Sequence, residues 1–370
     1  MNERERRKAM ALVPVSQLKP GSTLRADVVT PLGGLLFEKG SKIFEREIEI
    51  LLAFFIEEVM VEEPHPQAKM FKTSITPSPE PLVLSQPQEE PITFEQQFQR
   101  TVKFYKEMFK SVQGGLPIAL RELTEHLTEL VKFPSEVSYI FNTITQSYPI
   151  EDYTYFHSIS VSYLSVCLAR WSRIEESEML SIALAGALHD IGKSKISPEI
   201  LNKTEQLSLS EKTELRKYPV YGYHLVKAVN PSSDSILLGV LQHQEREDGS
   251  GYPLGLPSSS IHPYAKLVAI SDIFHAMCSS KSYKAGSSPY VVLEQLLSDS
   301  FGKLDPHFVR LFVDGMTQFS LGMEVELSDG TQGKIIYVDR SQPTRPMVEV
   351  QGNIINLMIN RHVYIKRAII

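Results

Sequence analysis

The sequence predicts a mainly α chain: an all-helical central domain, a small α+β unit before it and a small β unit after it. Three observations carry this. Between residues 149 and 319 the apolar residues recur almost everywhere at helical spacing. From residue 320 onward the period changes to that of strands. A run crowded with proline, residues 64–92, separates the N-terminal unit from the rest of the chain. The length of 370 residues suits two or three domains. With 42% hydrophobic and 22% charged residues, ordinary globular cores are possible along most of the chain.

In order, residues 1–63 read as the α+β unit. Gly21 and the Gly33-Gly34 pair punctuate short apolar strands such as Leu35-Leu36-Phe37. Phe44 to Ile56 has helical spacing, and Glu58-Val59-Met60-Val61 closes the unit as a strand. The opening MNERERRKAM is charged and has no apolar segment, so it does not read as a secretory signal. The apolar run Ile50–Ile56 falls far short of the ~20 residues a membrane span needs. In residues 64–92, Pro64, Pro66, Pro77, Pro79, Pro81, Pro87 and Pro91 sit among Ser, Gln and Glu, a composition that buries no core and favours an extended linker. Residues 93–148 form a helical connector, with Phe104, Met108, Phe109 and Val112 at helical spacing and Leu116 to Ile144 continuing it. Packing on the next domain and dimerisation both remain open for it.

The central domain, residues 149–319, is all helix. In residues 320–370, Glu324-Val325-Glu326-Leu327 leads into the turn Ser328-Asp329-Gly330. Lys334 to Val338 and Met347 to Val350 come next as strands of a small barrel or meander. The formal net charge of −6 argues against a general polyanion binder, so DNA is not an expected partner. A small anion in a local pocket stays compatible. Two cysteines, Cys167 and Cys278, read best as free thiols in a reducing compartment, and a cytoplasmic setting is the expectation.

The chemistry concentrates in three helical segments. Ile182-Ala183-Leu184-Ala185-Gly186-Ala187-Leu188 reads as a buried helix of small residues that delivers His189 and Asp190 side by side at its end. Gly192 suits a helix stop, where a left-handed residue is often needed. Lys193 puts a cation beside any anion held there. A bare His-Asp pair is more often a helix cap than a ligand pair, but two other residues shift the balance. His157 lies on a helix among apolar neighbours, where a lone histidine is usually a satisfied core residue. Asp272 lies inside the apolar helix Ala265 to Phe274, where an unpartnered carboxylate is costly. A divalent ion shared by His157, His189, Asp190 and Asp272 would meet that need, an oxygen and nitrogen set suited to Fe, Mn, Co or Zn. A hydrogen bond from a nearby helix end is the bland alternative for Asp272.

This arrangement resembles the four-ligand set of the HD phosphohydrolase superfamily. The stretch from Gln242 to Leu256 (QHQEREDGSGYPLGL) narrows the resemblance to HD-GYP domains, with Gly251, Tyr252 and Pro253 intact. Residues 18–43 resemble the accessory domain that often precedes such domains, and the Val325-to-Ile336 pattern resembles a tail that often comes after them. The resemblance implies a metal-dependent phosphodiesterase that hydrolyses cyclic di-GMP to pGpG or GMP in signal transduction. It implies Fe or Mn as the metal and Asp190 and Lys193 as catalytic residues. Gly251, Tyr252, Pro253, Lys281 and Lys284 would contact substrate.

The chain departs from the family at several places. Tyr218 replaces a histidine, Gln244 replaces the second of two adjacent histidines after His243, and His275 replaces an aspartate. Lys281-Ser282-Tyr283 stands where the family has Arg-Pro-Tyr. In the family one ion is held by the equivalents of His157, His189, Asp190 and Asp272. A second uses Asp190 with the equivalents of Tyr218, His243 and Gln244. The expectation is one well-formed metal site and a damaged second one. His224, six residues beyond Tyr218, faces away from it on a helix and is rejected as a substitute; His262 reads as a surface residue. The alternative to an enzyme is a degenerate domain that senses cyclic di-GMP or binds a protein. A homodimer or a signalling partner fits either reading.

Overall fold

The computed structural model describes residues 10–62 except 30–34, 45–46, 49–50, 52–55 and 57, and residues 92–369 except 134–138, 140–149, 204, 280–285, 300–301 and 319–320. The chain divides into two units, residues 1–87 and 88–370. The predicted linker lies almost wholly outside the described residues, as do the later part of the connector and both Lys281 and Lys284.

In the first unit, strand β1 (Met10–Pro14) pairs antiparallel with β6 (Glu58–Glu62). The short strands β2 (Ser22–Thr23) and β5 (Lys42–Ile43) pair likewise, as do β3 (Val28–Val29) and β4 (Leu35–Phe37). Their inward residues Leu24, Val28, Ile43, Val59 and Val61 form one apolar cluster with Val15, Leu18 and Leu51. The predicted helix from Phe44 to Ile56 falls partly outside the described residues; within them, the Ile48 N–H donates to the Phe44 carbonyl at 3.0 Å.

The second unit is helical, and one apolar core runs through it. Helix α1 (Phe94–Gln113) starts on a capping box between Thr93 and Gln96. Its apolar stripe of Phe94, Phe98, Tyr105, Met108, Phe109 and Val112 is buried, as is the Leu123, Leu127 and Leu130 stripe of α2 (Leu120–Val131). Two helices at the centre are apolar nearly all round. They are α3 (Ile150–Trp171) and α4 (Met179–Leu188), and both are enclosed by neighbours. Gly186 allows their close approach, since a Cβ there would lie 2.6 Å from the Ser162 Cα. Ser162 adds a hydrogen bond to the Ala183 carbonyl at 2.7 Å.

A 3₁₀ turn over Ile191–Lys195 comes next, then α5 (Pro198–Leu201), α6 (Leu209–Leu215), α7 (Tyr218–Val229) and α8 (Asp234–Gln242). After the loop 243–262 come α9 (Pro263–Cys278), α10 (Pro289–Asp299) and α11 (Pro306–Thr317). The chain then makes an antiparallel five-stranded sheet in the order β10-β9-β8-β7-β11. Its strands are β7 (Glu324–Leu327), β8 (Gln332–Tyr337), β9 (Met347–Val350), β10 (Asn353–Asn356) and β11 (Ile365–Ile369). It is an open meander whose inward residues Val325, Leu327, Ile335, Val348 and Ile365 join the helical core. The fold class is thus mainly α with a small sheet unit at each end. Among the described residues no helix is long and apolar enough to cross a membrane.

Gly192 has a different role from the predicted left-handed stop. Its φ is not positive; a Cβ there would lie 1.9 Å from the Tyr218 carbonyl oxygen and 2.5 Å from the Gly222 nitrogen. The residue is small because α7 crosses the 3₁₀ turn at backbone distance. That crossing places Tyr218 against the segment that carries Asp190.

Candidate metal centre

Four helices converge on one polar spot inside the core. Helix α3 brings His157, the end of α4 brings His189 and Asp190, the end of α8 leads to His243, and α9 brings Asp272. His157, His189, Asp190 and His243 are buried, while Asp272 retains 14% side-chain exposure.

Each histidine tautomer at the end of a helix is set by its backbone contact. His189 Nδ1 lies 2.6 Å from the Gly186 carbonyl, so Nδ1 carries the proton and donates it. Its Nε2 is then a bare lone pair, 3.5 Å from Asp190 Oδ2 and 4.0 Å from Asp272 Oδ1. That nitrogen is buried and has no hydrogen-bond partner among the described residues. His157 Nε2 lies 3.1 Å from Asp272 Oδ1 and 3.8 Å from Asp190 Oδ2. Nitrogens and carboxylate oxygens of His157, His189 and Asp272 lie within 4.8 Å of one another, as do those of His189, Asp190 and His243.

The electrostatics keep these groups in ligand form. Burial alone would raise the Asp190 carboxyl, but the Lys193 ammonium and the imidazoles of His189 and His157 override it and hold it far below the usual carboxylate range. Asp272 is likewise held low against burial, by the hydrogen bond from His157 and the surrounding histidines. Burial pushes His157 below its ordinary value. Burial, with His189 next to it, pushes His243 down to about 3. Near neutral pH the site therefore presents two carboxylates beside the neutral imidazoles of His157 and His243. A divalent ion fits this donor set, with the orphaned Nε2 of His189 as the most direct sign.

On the His243 side the structure is different. His243 Nδ1 donates to the Val240 carbonyl at 2.7 Å, leaving Nε2 as an acceptor, and the Tyr218 hydroxyl donates to that nitrogen at 2.7 Å. The lone pair that would face a second ion is occupied. Burial, with Asp190 adding to it, raises the Tyr218 phenol well above 10.0, so it stays protonated. Gln244 turns its amide nitrogen to Asp272 Oδ2 at 3.0 Å and its oxygen to Arg246 at 3.3 Å. It offers the site a donor, whereas a metal needs a lone pair.

The Lys193 side chain is 29% exposed. Its Nζ is 2.5 Å from Asp190 Oδ2 and 5.0 Å above the Tyr218 ring. Burial opposes its charge, but Asp190 more than offsets this and raises its pKa. Gly251, Tyr252 and Pro253 lie on the loop after His243. A Cβ at Gly251 would lie 2.4 Å from the Arg246 nitrogen, so only glycine lets the loop fold onto residues 244–246. The Arg216 guanidinium covers the Tyr252 ring at 5.2 Å, and burial raises the Tyr252 phenol.

Sequence reasoning missed several residues here. Glu245, buried, accepts the Leu254 N–H at 2.7 Å and the Leu256 N–H at 3.0 Å, pinning the loop. Its signal was its place between two candidate ligand segments. His262 is the N-cap of α9 and accepts from the Tyr264 N–H at 3.2 Å, which corrects its reading as a bare surface residue; Pro263 at the first helical position was the available sign. His275 lies against His157, Nδ1 to Nδ1 at 2.9 Å. His224 is exposed and away from the site.

Residues 129–307 match the family model described as an HD domain. A cyclic di-GMP phosphodiesterase of Pseudomonas aeruginosa is 32% identical over 200 residues, 54% of this chain and 48% of that protein. A cyclic di-GMP phosphodiesterase of Thermotoga maritima is 30% identical over 234 residues, 62% of this chain and 60% of that protein. Among solved structures, a HDG"Y"P protein from Bdellovibrio bacteriovorus is 16% identical and aligns with TM-score 0.49, covering 82% of this chain and 98% of its own. The chain spans about half the length of the curated relatives it matches. Residues 129–307, just under half of the chain, are thus similar to the HD domain family.

Proposed function

We propose that the chain is a phosphodiesterase that hydrolyses cyclic di-GMP with one divalent ion, Fe or Mn, held by His157, His189, Asp190 and Asp272. The observation that carries this is the buried, unpartnered Nε2 of His189, facing two ionised carboxylates. The relatives named as cyclic di-GMP phosphodiesterases support the substrate.

A bound ion supplies the usual metal chemistry here, a lowered pKa for water and polarisation of a phosphoryl oxygen. The protein's own groups do the rest. Asp190 is ionised and buried, so it orients water by accepting its hydrogen bond. Lys193 places an ammonium where charge builds on the phosphate. Tyr252, kept protonated, donates to a phosphate or base oxygen, and Gly251 and Pro253 complete that wall of the pocket. Glu245 holds the wall in place through two backbone bonds. Lys281 and Lys284 remain candidate phosphate contacts on sequence position alone.

The test is turnover: metal-free chain is loaded with Mn or Fe(II) and given cyclic di-GMP, and linear pGpG or GMP is sought. Product that disappears in His189→Ala supports the proposal. A second reading, a sensor that binds without turnover, is favoured by the Tyr218 hydroxyl on His243. Nucleotide bound with no product under any loading would select it.

A further inference from the structure

Arg216 is the exposed C-cap of α6, two residues before Tyr218. Its backbone N–H donates to the Lys212 carbonyl at 3.0 Å, and α7, which begins two residues later, is held against the 3₁₀ turn at Gly192. The side chain reaches across to the loop after His243. There its guanidinium carbon stands 5.2 Å from the centre of the Tyr252 ring. Neighbouring cations are spent on carboxylates: Lys193 on Asp190 at 2.5 Å, Lys203 on Glu211 at 2.7 Å and Lys217 on Glu214 at 2.7 Å. Arg246 spends its N–H groups on the His243 and Glu245 carbonyls and on Gln244. Among the described residues nothing but the Tyr252 ring engages the Arg216 guanidinium. A guanidinium held over a ring is attached through its face, so its charge is placed while its hydrogen-bonding fork stays unspent.

Tyr252 ties this charge to the metal centre. Burial raises its phenol, the Lys193 ammonium acts against that, and Asp190 and Asp272 add to it. The phenol is thus within electrostatic reach of the metal-site groups, while its ring carries Arg216. Two cations flank this wall. Lys193 is neutralised by Asp190, and Arg216 has no counter-charge. A cyclic dinucleotide has two phosphodiester groups on opposite sides of its macrocycle, each with one negative charge. The one that is cleaved must reach the metal centre. The other then lies away from it and needs a cation of its own.

We infer that Arg216 binds the second, uncleaved phosphodiester of a cyclic dinucleotide through charge-assisted hydrogen bonds from its unspent N–H groups. This rests on the phosphodiesterase reading above. Arg216 is then a specificity-determining residue: it touches the substrate but not the reacting atoms, and it favours cyclic dinucleotides over substrates with a single phosphodiester. An arginine can also read the edge of a base, but a charge without a counter-charge is matched by an anion.

The experiment compares wild type, Arg216→Gln and Arg216→Lys as full chain loaded with Mn. The substrates are cyclic di-GMP and bis(p-nitrophenyl) phosphate, which has one phosphodiester. At low salt, Arg216→Gln should raise KM for cyclic di-GMP about tenfold with kcat within about twofold, the loss of one exposed charge-assisted contact. Selectivity for cyclic di-GMP over the simple diester should fall by the same factor. Arg216→Lys should recover most of the loss, because an ammonium keeps the charge a phosphate needs but lacks the planar fork a base edge needs. The gap between wild type and Arg216→Gln should narrow at ~1 M salt, where an exposed charge is screened. Equal metal content and Tm in the three proteins certify that the variants fold. An unchanged KM in Arg216→Gln would overturn the inference, as would an equal loss on both substrates or no recovery by lysine. If wild type binds cyclic di-GMP without turnover, the same tenfold should appear in Kd, and equality there would overturn the inference. A wild type that neither binds nor hydrolyses cyclic di-GMP would instead sink the proposed function, and this inference with it.

Discussion

Replacing Tyr218 with histidine should convert a one-ion site into a two-ion site. In the wild type a second ion beside Asp190 and His243 must first displace the Tyr218 hydroxyl from His243 Nε2, 2.7 Å away. Losing that buried hydrogen bond costs about 1 kcal/mol. If Tyr218 then served as a ligand it would have to ionise. From an ordinary phenol value near 10, ionisation at pH 7.5 costs ~3.4 kcal/mol, and burial raises the value further. Together the penalty is about 4–5 kcal/mol, a weakening of second-site affinity by a factor of roughly 10³. Tyr218→His removes both costs and supplies an imidazole. The assay is metal content per chain, by elemental analysis after equilibration in chelator-buffered Mn. The wild type should hold one ion over a window of about three decades in free Mn where the variant holds two. A wild type that takes two ions with similar affinity would refute the reasoning, as would a folded variant that still takes one.

The same geometry sets three further outcomes. His189→Ala removes the unpartnered Nε2; metal content should fall to near zero, and the rise in Tm that metal gives the wild type should vanish. Glu245→Gln keeps the shape but loses one of two acceptors for the Leu254 and Leu256 N–H groups; KM for cyclic di-GMP should rise about tenfold, with metal content unchanged. The third concerns pH. His243 titrates at about 3 when folded, against about 6.5 unfolded. The unfolded chain therefore binds this proton first as pH falls; the stabilisation is complete above 6.5 and is lost below it. Between pH 8 and pH 5 the metal-free protein should lose about 2 kcal/mol through this group, measured by urea unfolding. His243→Gln should flatten that part of the dependence, and an unchanged slope would count against the assignment.

The proposed first ligand set stands out in the sequence because its chemistry is conspicuous against apolar surroundings. Asp272 stands inside Leu267 to Phe274, and His189-Asp190 ends a run of alanines and leucines. The damaged second set was legible only by the resemblance, through Tyr218 and Gln244. What the sequence did not reveal is pairwise geometry. Nothing local says that the Tyr218 hydroxyl reaches His243 or that His275 backs His157, across 25 and 118 residues. Gly192 shows the same limit: a glycine after a helix suggests a left-handed stop, yet the reason lies in α7 crossing it. For the helices of residues 94–131, the amphipathic stripes predicted a buried face but not the core it joins, which is the one around α3 and α4.

The central claim is a single ion that supports hydrolysis. Its most direct measurement titrates Mn into metal-free chain while linear product formed from cyclic di-GMP is monitored. Activity should rise in proportion to added metal and break at one equivalent per chain. A break at two equivalents, or no activity at any loading, would contradict the account.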